Sequence, residues 1–176
     1  MTKDFPPRVP TPVAVKASAE VIQPADDPQV GNLATPINAS GFTKTFINNL
    51  PAYRAGLSPQ RRGLEIGMAH GYILFGPFAV TSQFRNTPVS DIVGLIEAIV
   101  LVVILTVCLS LYAGSNPNPP IGTVTNPHPP DSLKTNEGWS EFAGSFLIGG
   151  IGGAAFAYLV YEIFKSGVLE TFGNMT

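Results

Sequence analysis

The chain has 176 residues, a formal net charge of −2, 12% charged residues and 45% hydrophobic ones. A soluble domain carries about 25% charged residues, and a net charge this close to neutral argues against a large basic surface for nucleic acid. A single cysteine, Cys108, excludes an intrachain disulfide and, inside an apolar run, reads as a small core hydrophobe.

In chain order, residues 1–26 read as a flexible, Pro-rich N-terminal tail without the continuous apolar core of a signal peptide. The next stretch, to residue 45, is polar and turn-rich, so the N-terminal segment is expected to be extended. Lys44–Leu50, KTFINNL, has the spacing of a short amphipathic surface helix that stops before Pro51. The first apolar run, Leu64–Val80, contains Glu65, His70 and Pro77. It is short for a span, so a re-entrant segment is the alternative, and Pro77 could break it.

The run Ile92–Ala113 has one charge, Glu97, among 14 Leu, Ile or Val residues. At about −0.3 to −0.6 kcal/mol each, these side chains outweigh roughly +3 kcal/mol for one mid-helix acid. Phe142–Phe164 is the third run, with Glu162 near one end and Trp139, Tyr158 and Tyr161 at interfacial or packed positions. Between the second and third runs, six prolines fall between Pro117 and Pro130, which favours an extended connection. That connection is either a stiff linker or a contact surface for a neighbour.

The fold expected is therefore an all-α integral membrane protein. Three transmembrane helices lie at about 64–84, 92–113 and 140–165, in a membrane domain over 27–176, with a Pro-rich loop between the second and third. Seven basic residues, Lys3, Arg8, Lys16, Lys44, Arg54, Arg61 and Arg62, precede the first run, against Arg85, Lys134 and Lys165 after it. The positive-inside rule then places the N-terminus on the cytoplasmic side and the C-terminus opposite.

Few residues at membrane depth carry chemistry. His70 is the only histidine there; a neutral imidazole is a good metal ligand, but a helix–helix hydrogen bond would equally satisfy it. Gly63, Gly67 and Gly71 recur every four residues beside it, a stripe suited to close packing of a helix or of a flat ring. Glu65 lies five residues before His70, hence about 140° around the helix and about 7.5 Å along it. The two cannot share one ion but can each serve a separate ligand. A salt bridge from Glu65 to Arg61 or Arg62 competes or coexists with that role. Glu97 is an intramembrane acid and so a functional candidate. Gly149 and Gly153, extended by Ser145, form a small-xxx-small face whose partner spacing alone does not identify. His128, in NPHPP, reads as a solvated loop residue. No phosphate loop, zinc spacing or catalytic set is present, so an enzyme is not expected.

The segment NNLPAYRAGLSPQRRGLEIGMAHGYILFGPF, residues 48–78, resembles the signature of photosystem I reaction-centre subunit XI, the PsaL family. GNLATPINAS upstream and LKTNEGWSEFAGSFLIGG downstream extend the similarity from about Asp27 to the C-terminus. The resemblance implies a non-catalytic thylakoid subunit that binds chlorophyll a and β-carotene and contacts the large reaction-centre subunits, membrane lipid and further copies of itself. In that membrane the N-terminal side is cytoplasm or stroma and the C-terminal side lumen. The family's axial chlorophyll ligands include the Glu and His of its LE-x-GMAH motif, which fall on Glu65 and His70. Thr81–Asp91, TSQFRNTPVSD, departs from the family: Asn86 stands where many members have an acid. A lost carboxylate weakens a calcium site, so the calcium of some trimeric members is not carried over. The Pro-rich loop resembles that of members forming trimers and tetramers, and both states remain open. Two other readings use different chemistry: a small transporter or channel component built on Glu97, and a membrane enzyme subunit sharing a haem between chains.

Overall fold

The computed structural model describes residues 21–25, 29 and 31–167. Apart from 21–25, the tail expected over 1–26 lies outside these residues, as does the chain beyond 167. The first elements are two-residue strands, β1 (Gln23–Pro24) and β2 (Leu33–Ala34), paired antiparallel. Four α-helices follow: α1 (Gly41–Asn49), α2 (Pro59–Thr81), α3 (Ser90–Gly114) and α4 (Asn136–Lys165). A 3-10 turn, Asp131–Lys134, leads into α4.

Local chemistry sets the helix starts. Ser40, Ser58 and Thr135 each accept a backbone N–H three residues on, at Thr43, Arg61 and Gly138, satisfying donors that a helix start leaves unpaired. Pro59 sits at the start of α2, where its fixed φ suits the helix and its missing N–H costs nothing. That is why α2 begins five residues before the apolar run from Leu64. The helix also runs through Pro77 to Thr81 rather than breaking there, and Thr81 Oγ1 donates to the Pro77 carbonyl.

Glycine decides how the helices meet. A Cβ on Gly63, Gly67 or Gly71 would overlap the backbone carbonyl of Phe142, Phe146 or Gly150 respectively, and one on Gly149 or Gly153 would overlap that of Leu64 or Met68. The partner of the Gly149/Gly153 face is therefore α2 of the same chain. These contacts advance together along both helices, so α2 and α4 run parallel, backbone against backbone. Such an approach permits van der Waals and Cα–H···O contact that side chains would prevent. The third helix runs the other way: Gly94 lies against Ala79, Val102 against Gly150, and Tyr112 against Trp139. Val102 is fully buried with Phe142 and Phe146, while Phe75, Ala79 and Ala157 form a second cluster nearer the other end.

Among the described residues two helices, α3 and α4, are long and apolar enough to cross a membrane, with mean hydropathy 3.0 and 1.6 over their most apolar windows. Only 22% of that window is buried in α3, whereas the core helix of a soluble protein would be mostly covered. Ile96, Val100, Ile104, Val107 and Leu111 all face outward. Cys108 is exposed as well. Its expected place in the core is thus wrong, because α3 is apolar all round and its sequence does not mark an inner face.

The connection 115–130 contains no helix. It is tied down by the N-terminal segment: Asn48 Nδ2 donates to Thr125 O at 2.8 Å, Thr125 Oγ1 to Asn38 O at 3.1 Å, and Val124 N–H to Asn32 Oδ1 at 3.3 Å. Asn126 is buried at the centre of this clamp. The surface helix expected over Lys44–Leu50 is α1; it starts earlier, at Gly41, because Ser40 caps it.

Candidate functional site

His70 and Glu65 both lie on α2, on opposite flanks of the glycine stripe that holds α2 to α4. The His70 ring is exposed and packs edge-on to Phe146, with centroids 5.4 Å apart. Its Nδ1 lies 2.8 Å from the Ile66 carbonyl, one turn back. A carbonyl only accepts, so Nδ1 is the donor of this bond, and in the uncharged ring Nε2 is then the nitrogen with a free lone pair. Beside the ring is a hollow of about 340 Å³ lined by Ile66, His70, Leu105, Cys108, Leu109, Trp139, Phe142 and Phe146. Its walls are almost wholly apolar and aromatic. An imidazole nitrogen next to such walls suits a flat, apolar ligand with one coordination position to fill.

Glu65 is on the other flank, lining a hollow of about 470 Å³ with Leu64, Met68, Ser145 and Ile148. Its carboxylate is held by two guanidinium groups. Arg61 Nε donates to Oε1 at 3.0 Å, one helical turn away, and Arg54 donates to Oε2 from the preceding loop. Arg62, the other partner expected, does not reach it. Adjacent residues on a helix point about 100° apart, and Arg62 turns inward, donating through one terminal nitrogen to the Pro51 and Ala52 carbonyls at 2.9 and 3.1 Å. Each carboxylate oxygen of Glu65 retains a second acceptor position. The two arginines thus neutralise its charge without exhausting its capacity to donate to a metal.

Glu97 lies between α3 and the end of α2, where Ser82 Oγ donates to Oε1 at 3.0 Å. Its Oε2 is buried without a partner among the described residues. Nearby, Asp91 is buried and bound by the Lys165 ammonium from the end of α4 and by Ser90 Oγ at 3.0 Å. Sequence spacing did not single out Ser82, Asp91 or Arg54, because each partnership joins different elements. His128 is exposed on the Pro-rich loop. Among the described residues, no group of three or more His, Cys, Asp or Glu could enclose a metal ion. The donors available are therefore single side chains, suited to a metal already held by its own macrocycle.

Comparison with known proteins gives the family. Residues 20–166 match the family model described as photosystem I reaction centre subunit XI. The chain is 59% identical over 141 residues to the photosystem I reaction center subunit XI of Synechococcus elongatus, covering 79% of this chain and 85% of that one. It is 58% identical over 146 residues to the subunit of the same name from Trichormus variabilis, covering 82% and 85%, and 54% identical over 143 residues to that of Crocosphaera subtropica, covering 81% and 92%. With nearly the whole described structure inside the matched region, the chain belongs to the photosystem I reaction centre subunit XI family.

Proposed function

We propose that this chain is a non-catalytic, three-span subunit of photosystem I in the thylakoid membrane, holding chlorophyll a through His70 and Glu65 and joining copies of the complex. The observation that carries the pigment reading is His70. Its Nδ1 is committed to the Ile66 carbonyl, which leaves Nε2 at the edge of an aromatic hollow as the nitrogen that can face a ligand. A bound chlorophyll would supply light absorption and excitation transfer. The chain's part is to offer one axial donor, to fix the imidazole tautomer, and to present Phe146, Phe142 and Trp139 as flat apolar contacts. Glu65 would serve a second pigment on the opposite flank, about 140° around α2, its charge balanced by Arg54 and Arg61. Carotenoid and lipid would lie against the exposed apolar faces of α3 and α4.

The three-span reading rests on the packing of α2. It lies parallel to α4 from Gly63–Phe142 to Gly71–Gly150 in unbroken backbone contact, so it shares the depth of a helix long and apolar enough to cross. Its mean hydropathy is lowered by the glycines that make this contact and by the charges of its first turns. Orientation follows from charge. Lys44, Arg54, Arg61, Arg62 and Lys134 gather where α2 and α4 begin, against Arg85 and Lys165 at the other end. The first end is therefore cytoplasmic or stromal and the C-terminus lumenal. Partners would be the large reaction-centre subunits and further copies of this chain, as a trimer or tetramer. A transporter or channel built on Glu97 is not favoured: its carboxylate is tied to Ser82, and the matching family is a photosystem subunit.

The test is His70→Ala in the assembled complex. Nε2 is lost while the glycine stripe is untouched, so the variant should assemble with one chlorophyll fewer per copy and a changed red absorption band. Unaltered pigment content and spectrum in an assembled His70→Ala complex would remove His70 from the account.

A further inference from the structure

The strongest uncommitted feature lies at the end of the bundle where α2 and α4 begin. Arg62 is only 2% exposed, yet among the described residues no carboxylate lies within ion-pair distance of it. Two backbone carbonyls take one terminal nitrogen, and Nε is buried with no partner among the described residues. Arg54 adds like-charge repulsion. Buried charges are ordinarily paired, because an unpaired one costs several kcal/mol of lost hydration. Among the described residues, Arg62 therefore lacks a counter-charge.

A hollow of about 660 Å³ lies beside it, lined by the Tyr53–Leu57 loop, the Pro-rich loop at His128, and Ser132 and Lys134 of the 3-10 turn. Ser132 Oγ is also buried, with no partner among the described residues. The hollow sits just ahead of the Ser58 and Thr135 caps, so the positive ends of two helix dipoles flank it. Among the described residues one acid lines it: Asp131 pairs with Lys134 at 2.7 Å, and the Lys134 ammonium holds its carboxyl below the usual value. Its side chain is 95% exposed, so water screens its charge from the interior.

We propose that this hollow is an anion site of phosphate chemistry, taking either the phosphodiester headgroup of an anionic lipid or free phosphate. Lys134 and His128 form its open rim, and Arg62 supplies the buried positive charge beneath. The rim and the buried charge come from separate parts of the chain, 62, 128 and 134, which only the clamp of the Pro-rich loop onto Asn32, Asn38 and Asn48 brings together. The site is independent of pigment binding at His70, which lies farther along α2.

The test is thermal unfolding of the full chain in a neutral maltoside detergent, followed by Trp139 fluorescence. Inorganic phosphate is compared with chloride at equal ionic strength, and short-chain phosphatidylglycerol with a short-chain neutral galactolipid. A ligand that binds only the folded chain raises Tm saturably. A rise with both phosphate and phosphatidylglycerol assigns a free-anion site, and a rise with phosphatidylglycerol alone assigns a lipid headgroup. In either case the doubly substituted Lys134→Ala, His128→Ala chain, which leaves the Arg62 contacts in place, should lose most of the rise, and Arg62→Gln should abolish it. Equal responses to each anion and its neutral or chloride control, or a rise unaltered in the double variant, would overturn the proposal.

Discussion

Gly152 and Gly153 are neighbours on α4, yet the structure gives opposite expectations for the same substitution. A Cβ on Gly153 would overlap the Met68 carbonyl oxygen and stand 2.8 Å from its carbon and 2.9 Å from Met68 Cα, whereas one on Gly152 meets nothing within 4 Å. Alanine gains about 1 kcal/mol over glycine from helix propensity alone. At Gly152 that gain should stand, leaving stability unchanged or raised by up to about 1 kcal/mol. At Gly153 the obstacle is backbone, which cannot rotate aside. The helices must part, and a gap of 0.5–1 Å forfeits a quarter to a half of each contact's attraction. Overpacking of this kind costs about 1–3 kcal/mol, enough to reverse the propensity gain. The assay is detergent-solubilised chain unfolded thermally and read by Trp139 fluorescence, with the yield of assembled complex measured alongside. Gly153→Ala should melt several degrees below Gly152→Ala and assemble less well. Equal melting temperatures for the two variants would refute the backbone-to-backbone packing of α2 and α4.

At the other end, Asp91→Ala removes the Lys165 ion pair and the Ser90 bond; because the Lys165 side chain is 54% exposed and can take water instead, a loss of about 1 kcal/mol should appear as a lower Tm, and no change would show that the ion pair contributes nothing. Asn48→Ala removes its bonds to Lys44 O and Thr125 O together. Amide exchange should then quicken over residues 123–126 while α2 and α4 keep their protection, and unaltered exchange there would mean that the clamp is held by other contacts.

The helices were legible where one signal sufficed. An unbroken apolar run marks α3, and the small-xxx-small spacing marks the packing faces of α2 and α4. The start of α2 was also readable, since Ser58 followed by Pro59 is a capping signal; counting apolar residues alone placed the start at Leu64. The Glu65–Arg61 pair follows from four-residue spacing, but three-residue spacing admits Arg62 equally, and only its inward bonds to the Pro51 and Ala52 carbonyls remove it. What sequence could not supply is long-range. Arg54 reaches Glu65 across a loop, Lys165 meets Asp91 across two helices, and the Asn48–Thr125 bond links segments 77 residues apart. Periodicity fails on α3 for a different reason: with apolar side chains on every face, nothing in its sequence distinguishes buried Val102 from exposed Cys108. His70 was legible as a donor, but the commitment of its Nδ1 to Ile66 O required the structure.

If this chain holds pigment within photosystem I, the native complex captured through it in mild detergent should be green, and its visible absorption spectrum reads that outcome. A strong chlorophyll red band, with large reaction-centre subunits in the same fraction, is the predicted result. A colourless complex without those subunits would contradict the account.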